Sequence, residues 1–298
     1  MLKIGIVGLR NAQGYIDAMA KMPSFCFMGV YDPCLLIDRY RQTSFDVFQS
    51  FGDLCSQCQA VVFDIDDNLY MPLISEAIRH SLYVFIHSVH NFSDEELQSL
   101  LRLRDEAQTK VFIGHPAMYS GVFSGLHSLC DHPLDIQSSI SMPDETNLVS
   151  VARTEVSLLL PLVRANVHRV LVNVYSSFST MPDTMRLRID FDNGSIANIS
   201  INKYGFEPEH KLKVVNYNSL AEADLLTYQL RHIDNISRQS TSVLRPQPAL
   251  QSLEPQLSAF YSALIDDNVE YNTLENELKT QIASRRLSEK MRINFNVF

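Results

Sequence analysis

The first third of the chain alternates short apolar runs with segments of helical periodicity. Lys3 to Val7 is an apolar run that ends at Gly8, and the next segment, Asn11 to Met22, has apolar residues at helical spacing. A second apolar run, Phe25 to Tyr31, follows and stops at Asp32. The order strand, turn, helix and strand predicts a β-α-β unit, whose two strands are parallel.

The same alternation continues along the chain as far as Pro116. Further strands are predicted at Ala60 to Ile65, Leu82 to Ile86 and Lys110 to Gly114, with helices at Leu69 to His80 and Ser93 to Gln108. Ser93, with Glu96 three residues later, forms a capping box that fixes the start of the second helix. Strands and helices at this spacing are typical of a doubly wound α/β domain.

Beyond Tyr119 the pattern changes to successive strands. Strands are predicted at Ile136 to Met142, Arg169 to Ser177, Met185 to Phe191 and Ser195 to Asn202, and helical segments at Thr154 to Arg164 and Leu257 to Lys290. The sequence Asp192-Asn193-Gly194 predicts a hairpin with a type I′ turn, because Asn-Gly tolerates positive φ angles. Asp234 to Pro255, rich in Ser, Gln and Pro, predicts an exposed loop. An antiparallel sheet is therefore expected.

A chain of 298 residues is long enough for two domains of ordinary size. We expect an α/β protein whose residues 1–118 form a Rossmann-type domain with a doubly wound parallel sheet. Residues 119–298 are expected to form a second α/β domain with a mostly antiparallel open sheet. The last helices are expected to return and pack on the first domain.

Composition and charge exclude several classes of protein. Hydrophobic residues make up 46% and charged residues 20% of the chain, as in a soluble globular protein. The net charge is -9 and no run of Lys and Arg occurs, so nucleic acid is not an expected partner. The apolar start is too short for a signal sequence or a membrane span, and five cysteines without a regular framework fit a reducing compartment. The expected location is the cytoplasm, with no membrane partner.

The opening β-α-β unit has the context of a dinucleotide fingerprint but retains one of its three glycines. Gly8 matches the first glycine, whereas Arg10 and Gln13 take the second and third positions. Arg10 either fills the space where backbone approaches a pyrophosphate or holds a phosphate as a charged fork. Asp32 would accept hydrogen bonds from ribose hydroxyls and repel a 2′-phosphate, so NAD is favoured over NADP if either binds. The alternative is a strand-to-helix turn that binds no ligand.

Several stretches of the chain resemble one family of oxidoreductases in their order and spacing. They are KIGIVGLRNAQG with GVYDP, QAVVFDIDDNLYMPLISEAI, SLYVFIHSVHNFSDEELQSLLRLRDEAQTKVFIGHP and LSAFYSALIDDNVEYNTLENELKTQIASRRLSEK. Together they are similar to the Gfo/Idh/MocA family of NAD(P)-dependent oxidoreductases over most of the chain. The resemblance implies a Rossmann domain, a C-terminal α/β domain whose open sheet often makes the oligomer contact, and a small, sugar-like ligand.

The resemblance also implies positions for a cofactor. These are Gly8, Arg10, Asn11, Asp32, Asp66 and His87. Where family members have Thr-Pro-Asn, however, this chain has Ile65, Asp66 and Asp67. With Asp64 they place up to three carboxylates near a pyrophosphate, and like charge there opposes binding.

The chain also departs from the family at the positions of its catalytic groups. Where members have Glu-Lys-Pro it has His87-Ser88-Val89, and the short, uncharged Ser88 cannot serve as an acid in place of lysine. The helical Gly-x-His-x-x-Asp motif of the family falls on Arg153 to Leu158, with Glu155 in place of the histidine. The candidate catalytic positions are therefore His87, Ser88 and Glu155.

Two functional hypotheses follow from these departures. The leading one is a protein of this fold in which hydride transfer is lost or severely weakened and a binding or scaffolding role remains. The alternative is a divergent NAD-dependent dehydrogenase or reductase of a sugar or another small carbonyl compound, with Glu155 or His87 as acid and base. A weaker third interpretation is a metal enzyme that uses His87, His90 and the nearby aspartates, but their spacing matches no metal motif and no metal site is expected.

The antiparallel half of the chain leads to an expectation about assembly. Arg169 to Asn202 should form a sheet with one exposed face, which bears either Val170, Val172 and Val174 or Ile196 and Ile199. An exposed apolar face of this kind usually packs on another subunit. A homo-oligomer through the C-terminal sheet is therefore expected.

Overall fold

The computed structural model describes residues 1–33, 45–65, 68–130, 132–143, 147–176, 182–204, 207–244, 253–267, 269 and 271–295, with side chains as far as residue 290. The chain forms two compact units. Unit 1 comprises Met1–Pro116 and Gln251–Leu278, and unit 2 comprises Ala117–Leu250 and Lys279–Phe298. In the described part of the chain, no helix is long and apolar enough to cross a membrane.

Unit 1 contains a five-stranded parallel sheet with helices between its strands. The strands are β1 (Leu2–Val7), β2 (Phe25–Tyr31), β3 (Ala60–Phe63), β4 (Tyr83–Ile86) and β5 (Val111–Ile113), in the order β2-β1-β3-β4-β5. The helices are α1 (Ala12–Ala20), α2 (Phe51–Gln57), α3 (Met71–Arg79), α4 (Asp94–Ala107) and α7 (Leu253–Ile265). The predicted Rossmann-type parallel sheet is confirmed.

The strands of unit 1 read as continuous apolar runs because both faces of the sheet are covered. Val61 and Val62, adjacent on β3, point to opposite faces and are both fully buried. Phe85 and Phe112 stack with ring centroids 5.1 Å apart on neighbouring strands, and Phe260 of α7 meets both rings edge-on. Helix α7 therefore completes the core of this unit.

Unit 2 contains an eight-stranded, mostly antiparallel sheet among its described residues. The strands are β6 (Pro133–Ser141), β7 (Val167–Tyr175), β8 (Thr184–Phe191), β9 (Ile196–Asn202), β10 (Glu209–Asn216), β11 (Ser219–Asp224), β12 (Gln229–Asp234) and β13 (Gln239–Leu244). Their order is β13-β12-β11-β10-β6-β9-β8-β7, and β6 pairs with β9 in parallel. Helices α5 (Gly121–Leu129) and α6 (Leu148–Val163) lie in this unit, and α8 (Leu274–Phe295) continues into it. The predicted mostly antiparallel sheet is confirmed.

The apolar face of the unit 2 sheet is covered, and its exposed face is polar. Val170, Val172 and Ile199 are buried in one cluster with Leu159 of α6, and Val174 packs against that cluster. The expectation that these residues form an exposed face is therefore wrong. Ile196, by contrast, is only partly buried. The side chains that alternate with the buried ones, such as Arg186 and Arg188 on β8, point outward instead.

Three local expectations differ from the structure. Asp234 to Pro255 is not entirely loop, because β13 lies within it, and the predicted helix from Leu257 to Lys290 is divided between α7 and α8. The hairpin at Asp192-Asn193-Gly194 does join β8 to β9, but Gly194 takes a positive φ of 86° and Asn193 does not. A type I turn followed by a glycine bulge fits this geometry better than a type I′ turn.

Candidate functional site

The turn after β1 brings the start of α1 against the end of β3. Gly8 has a φ of 93°, and a Cβ at this position would lie 2.6 Å from the carbonyl oxygen of Asp64. The Gly8 N–H donates to the carbonyl of Tyr31 at the end of β2. Only glycine satisfies both the backbone conformation and this close approach. The predicted glycine turn is therefore placed at the carboxyl edge of the parallel sheet, where ligands bind in such folds.

The anion-binding position of this turn holds a carboxylate of the chain itself. Asp64 follows β3, is 1% exposed, and accepts a hydrogen bond through Oδ2 from the backbone N–H of Asn11 at the start of α1. Within the described residues its second oxygen, Oδ1, is buried and has no hydrogen-bond partner. A helix N-terminus attracts anions through its free N–H groups and its dipole. Asp64 thus places an internal carboxylate at the N-terminus of α1.

Burial and neighbouring groups act in opposite directions on Asp64. Burial raises the pKa of Asp64, while the Asn11 N–H, His87 and Arg10 oppose that rise. Arg10 occupies the second position of the glycine fingerprint and is exposed. Its guanidinium interacts electrostatically with the Asp64 carboxylate.

His87, at the end of β4, forms a hydrogen bond with Tyr15 of α1. The Tyr15 hydroxyl lies 2.8 Å from His87 Nδ1, and the two rings meet edge-on. Burial and the charge of Asp64 raise the pKa of Tyr15, so its hydroxyl stays protonated. Burial lowers the pKa of His87 and so favours the neutral imidazole, while the charge of Asp64 opposes and that of Arg10 reinforces that shift. The direction of the hydrogen bond depends on the tautomer of His87.

These residues do not fit a dinucleotide pyrophosphate at the turn. Asp64 already engages the Asn11 N–H, and a pyrophosphate would meet a carboxylate of like charge. Asp32, the acid predicted to contact a ribose, lies directly after β2 and is only partly buried. It accepts a hydrogen bond of 3.4 Å from the Tyr70 hydroxyl. The Asn11 N–H, by contrast, already has a hydrogen-bond acceptor within the chain.

The histidine and serine side chains that follow β4 and β5 form no metal site among the described residues. The Ser88 hydroxyl accepts a hydrogen bond of 3.3 Å from the backbone N–H of His90. His115 is buried, and its backbone N–H donates to the side-chain oxygen of Gln256 at 3.0 Å. Asp66 and Asp67 lie outside the described residues. Across the described ranges, no three His, Cys, Asp or Glu side chains come close enough together to hold a metal ion.

Glu155 lies in unit 2, where both of its oxygens are hydrogen-bonded. Oε1 accepts from the Ser138 hydroxyl at 2.7 Å, and Oε2 lies 2.8 Å from His210 Nε2. The Glu155 side chain is 1% exposed, and that of His210 is 13% exposed. Glu155 therefore orients His210 and is itself enclosed by hydrogen bonds. Sequence reasoning missed His210 because it lies on β10, 55 residues from Glu155, with no motif around it.

Comparisons with known proteins find relatives by structure. No protein-family model and no curated protein sequence matches the chain. UDP-N-acetylglucosamine 3-dehydrogenase GnnA from Acidithiobacillus ferrooxidans superposes with a TM-score of 0.82 at 15% identity, covering 99% of both chains. An oxidoreductase from Sinorhizobium meliloti has a TM-score of 0.81 at 11% identity, with 98% of both chains covered.

A third similar structure contains a cofactor. GenD2 from gentamicin A biosynthesis, in complex with NAD, has a TM-score of 0.74 at 14% identity and covers 98% of this chain and 94% of its own. At these identities the likeness establishes the fold. The resemblance to Gfo/Idh/MocA oxidoreductases that the sequence indicated is confirmed at that level.

Proposed function

We propose that this chain is a Gfo/Idh/MocA-fold protein in which dinucleotide binding and hydride transfer are lost or severely weakened, while a binding or scaffolding role remains. The observation that carries the proposal is the hydrogen bond from the Asn11 N–H to the buried Asp64 carboxylate. Because this N–H would otherwise face a phosphate, the Asp64 carboxylate competes with the cofactor for it, whatever the cofactor concentration. Ser88, in place of the family lysine, supports the same conclusion.

The alternative is a divergent NAD-dependent dehydrogenase or reductase of a sugar or another small carbonyl compound. The hydrogen bond between Tyr15 and His87 favours it, since it holds the His87 imidazole in a fixed orientation at the end of β4, and a positioned imidazole can transfer protons. Asp32 favours NAD over NADP in this case, because its carboxylate repels a 2′-phosphate. Structural similarity to a dehydrogenase in complex with NAD is compatible with this alternative.

Calorimetric titration with NAD(H) and NADP(H) tests the proposal. The wild type is expected to show no binding at millimolar concentrations. Asp64→Ala removes the competing carboxylate and should create or improve NAD binding by roughly tenfold or more, and adding Arg10→Gly should improve it further. Asp17→Ala, which removes an exposed carboxylate from helix α1, is the matched control and should not bind NAD. Tight NAD binding by the wild type, falling in Arg10→Gly, would support the alternative instead.

The proposed assembly is a homo-oligomer formed through the sheet of unit 2. Since the apolar face of that sheet is covered, the contact must use its polar face or an edge strand. The edge strand β13, whose six residues are all exposed, is the stronger candidate.

A further inference from the structure

The exposed face of the unit 2 sheet carries a trough with basic walls and a polar floor. A cavity of about 1020 Å³ lies over it. The basic trough consists of Arg186 and Arg188 on β8, Asn198 and Ser200 on β9, Gln137 and Ser139 on β6, and Lys211 and Lys213 on β10. Strand register aligns these side chains in two rows across the four strands. Each row begins with an arginine, crosses two polar side chains and reaches a lysine on β10. Each lysine lies opposite a carboxylate on β11, Asp224 or Glu222, which also lines the cavity.

The depth of the trough follows from the difference in side-chain length. Three strand spacings separate β8 from β10, a distance of about 14 Å. The arginines and lysines are long, whereas the floor between them consists of serines and amides. Leu187, Ile199 and Leu212, which alternate with trough residues, are buried in the core of unit 2. The floor is therefore held by a packed core and is formed without any ligand.

The walls carry positive charge that the protein neutralises only weakly. Arg188 pairs with Asp190 at 2.9 Å, Lys211 with Glu209 at 2.8 Å and Lys213 with Glu222 at 3.7 Å, each through side chains that are at least partly exposed. In the described part of the chain, the side chain of Arg186 makes no ion pair or hydrogen bond, and the cavity lining carries five Lys and Arg side chains against the two carboxylates of Glu222 and Asp224. Exposed ion pairs contribute little to stability, so an anionic ligand can replace them at small cost. On a chain of net charge -9, this is a local site for anions.

We propose that the basic trough binds an acidic oligosaccharide, a short chain of sugars that carry carboxylates. A carboxylate fits the guanidinium of Arg186 as a bidentate pair, and sugar hydroxyls fit the hydroxyl and amide groups of the floor. An acidic peptide has few hydroxyls to match that floor. The cavity lies at the upper end of the range for small ligands, which gives room for more than one sugar ring. The proposal is independent of the dinucleotide question, since every trough residue belongs to unit 2.

Calorimetry with tetragalacturonate as the probe tests this site, with neutral maltotetraose as the ligand control. The wild type should bind the acidic tetrasaccharide, less tightly as ionic strength rises, and should not bind the neutral one. Arg186→Ala should weaken binding roughly tenfold or more. Arg169→Ala is the matched control, because Arg169 is exposed on the same face of β7 but does not line the cavity, and it should bind like the wild type.

A second variant separates the trough from general charge effects. Ser200→Tyr fills the floor without changing the charge and should also abolish binding, while thermal unfolding confirms that it is folded. Three outcomes overturn the proposal: no binding by the wild type at millimolar probe, equal binding by Arg186→Ala, or equal binding of the two tetrasaccharides. A dimer in sedimentation that Arg186→Ala dissociates would instead assign the trough to a second copy of the chain, and would also overturn it.

Discussion

Gly8 shows how a single missing side chain positions the candidate site. Its φ of 93° and the 2.6 Å between its absent Cβ and the Asp64 carbonyl oxygen leave no room for alanine. Gly8→Ala should lower the free energy of unfolding by about 2 kcal/mol or more, as measured by urea denaturation. Gly52→Ala is the control. Gly52 lies in helix α2, and a Cβ there would meet only Ser50 Oγ, at 3.9 Å. It should stabilise by up to about 1 kcal/mol, and equal losses in both variants would contradict the argument.

The buried pair of His210 and Glu155 makes a prediction about pH. Burial alone disfavours imidazolium, but the charge and hydrogen bond of Glu155 outweigh it and raise the pKa of His210 above its ordinary value of 6.5. A group whose pKa is raised by folding stabilises most below its unfolded pKa and loses that stabilisation as pH rises through the folded pKa. His210→Gln should therefore destabilise the protein more in mildly acidic than in alkaline solution. Urea denaturation across that pH range measures this difference.

The control for this pH dependence is His168→Gln, since His168 is exposed on β7 of the same sheet. Its effect on the free energy of unfolding should be small. A difference that stays constant with pH for His210→Gln would show that the pair with Glu155 is not ionic. Both variants retain Asp224, whose charge also raises the pKa of His210.

The sequence predicted part of the candidate site and missed its contacts. Gly8 and Asp32 could be placed because the β-α-β pattern fixes which strand ends they follow. The hydrogen bond of Asp64 with Asn11 could not, because it depends on β3 lying beside β1, which only the strand order shows. Tyr15 looked like an ordinary apolar position of α1. Its hydroxyl reaches His87, 72 residues later, and no local pattern indicates such a pair.

At the scale of elements, helix α4 offers a clean test of its predicted cap. Ser93 accepts from the Glu96 N–H, while the Glu96 carboxylate accepts from the Ser93 N–H. Ser93→Ala should cost about 1 kcal/mol of stability, because it leaves an N–H of the first turn without its partner. Ser99→Ala, in the exposed interior of the same helix, should be neutral or slightly stabilising by helix propensity. Chemical denaturation that finds equal effects would contradict the capping role.

The sequence predictions left out two helices, α2 and α5, and the four strands β10 to β13. Strand β13 reads Gln-Ser-Thr-Ser-Val-Leu, and all six of its residues are exposed, so it shows no alternation of apolar and polar positions. Its strand conformation comes from pairing with β12, which is a tertiary effect. Helix α4, by contrast, was placed to within one residue at each end. Periodicity cannot identify a strand such as β13 that has no buried face, but α5 and β10 have buried faces and were missed as well.

At the scale of the whole molecule, β13 is an edge of the unit 2 sheet, and no further strand pairs with it among the described residues. Natural edge strands are usually blunted by lysine, proline or a bulge, and Gln239–Leu244 contains no charge and no proline. Val243 and Leu244 are 46% and 61% exposed on this strand. Edge pairing with a second copy would cover these residues and complete the open backbone hydrogen bonds. It would leave the basic trough between β8 and β10 accessible.

Sedimentation equilibrium at tens of micromolar is expected to show a dimer of the wild type. Val243→Lys should give a monomer, because in a two-fold strand pair the new lysines of the two copies would lie close together and repel each other. His168→Lys, on β7 at the opposite edge of the sheet, adds the same charge and should remain a dimer. Arg186→Ala should also remain a dimer, since the trough lies away from the edge. A monomeric wild type, or a dimer that Val243→Lys leaves intact, would rule out assembly through β13.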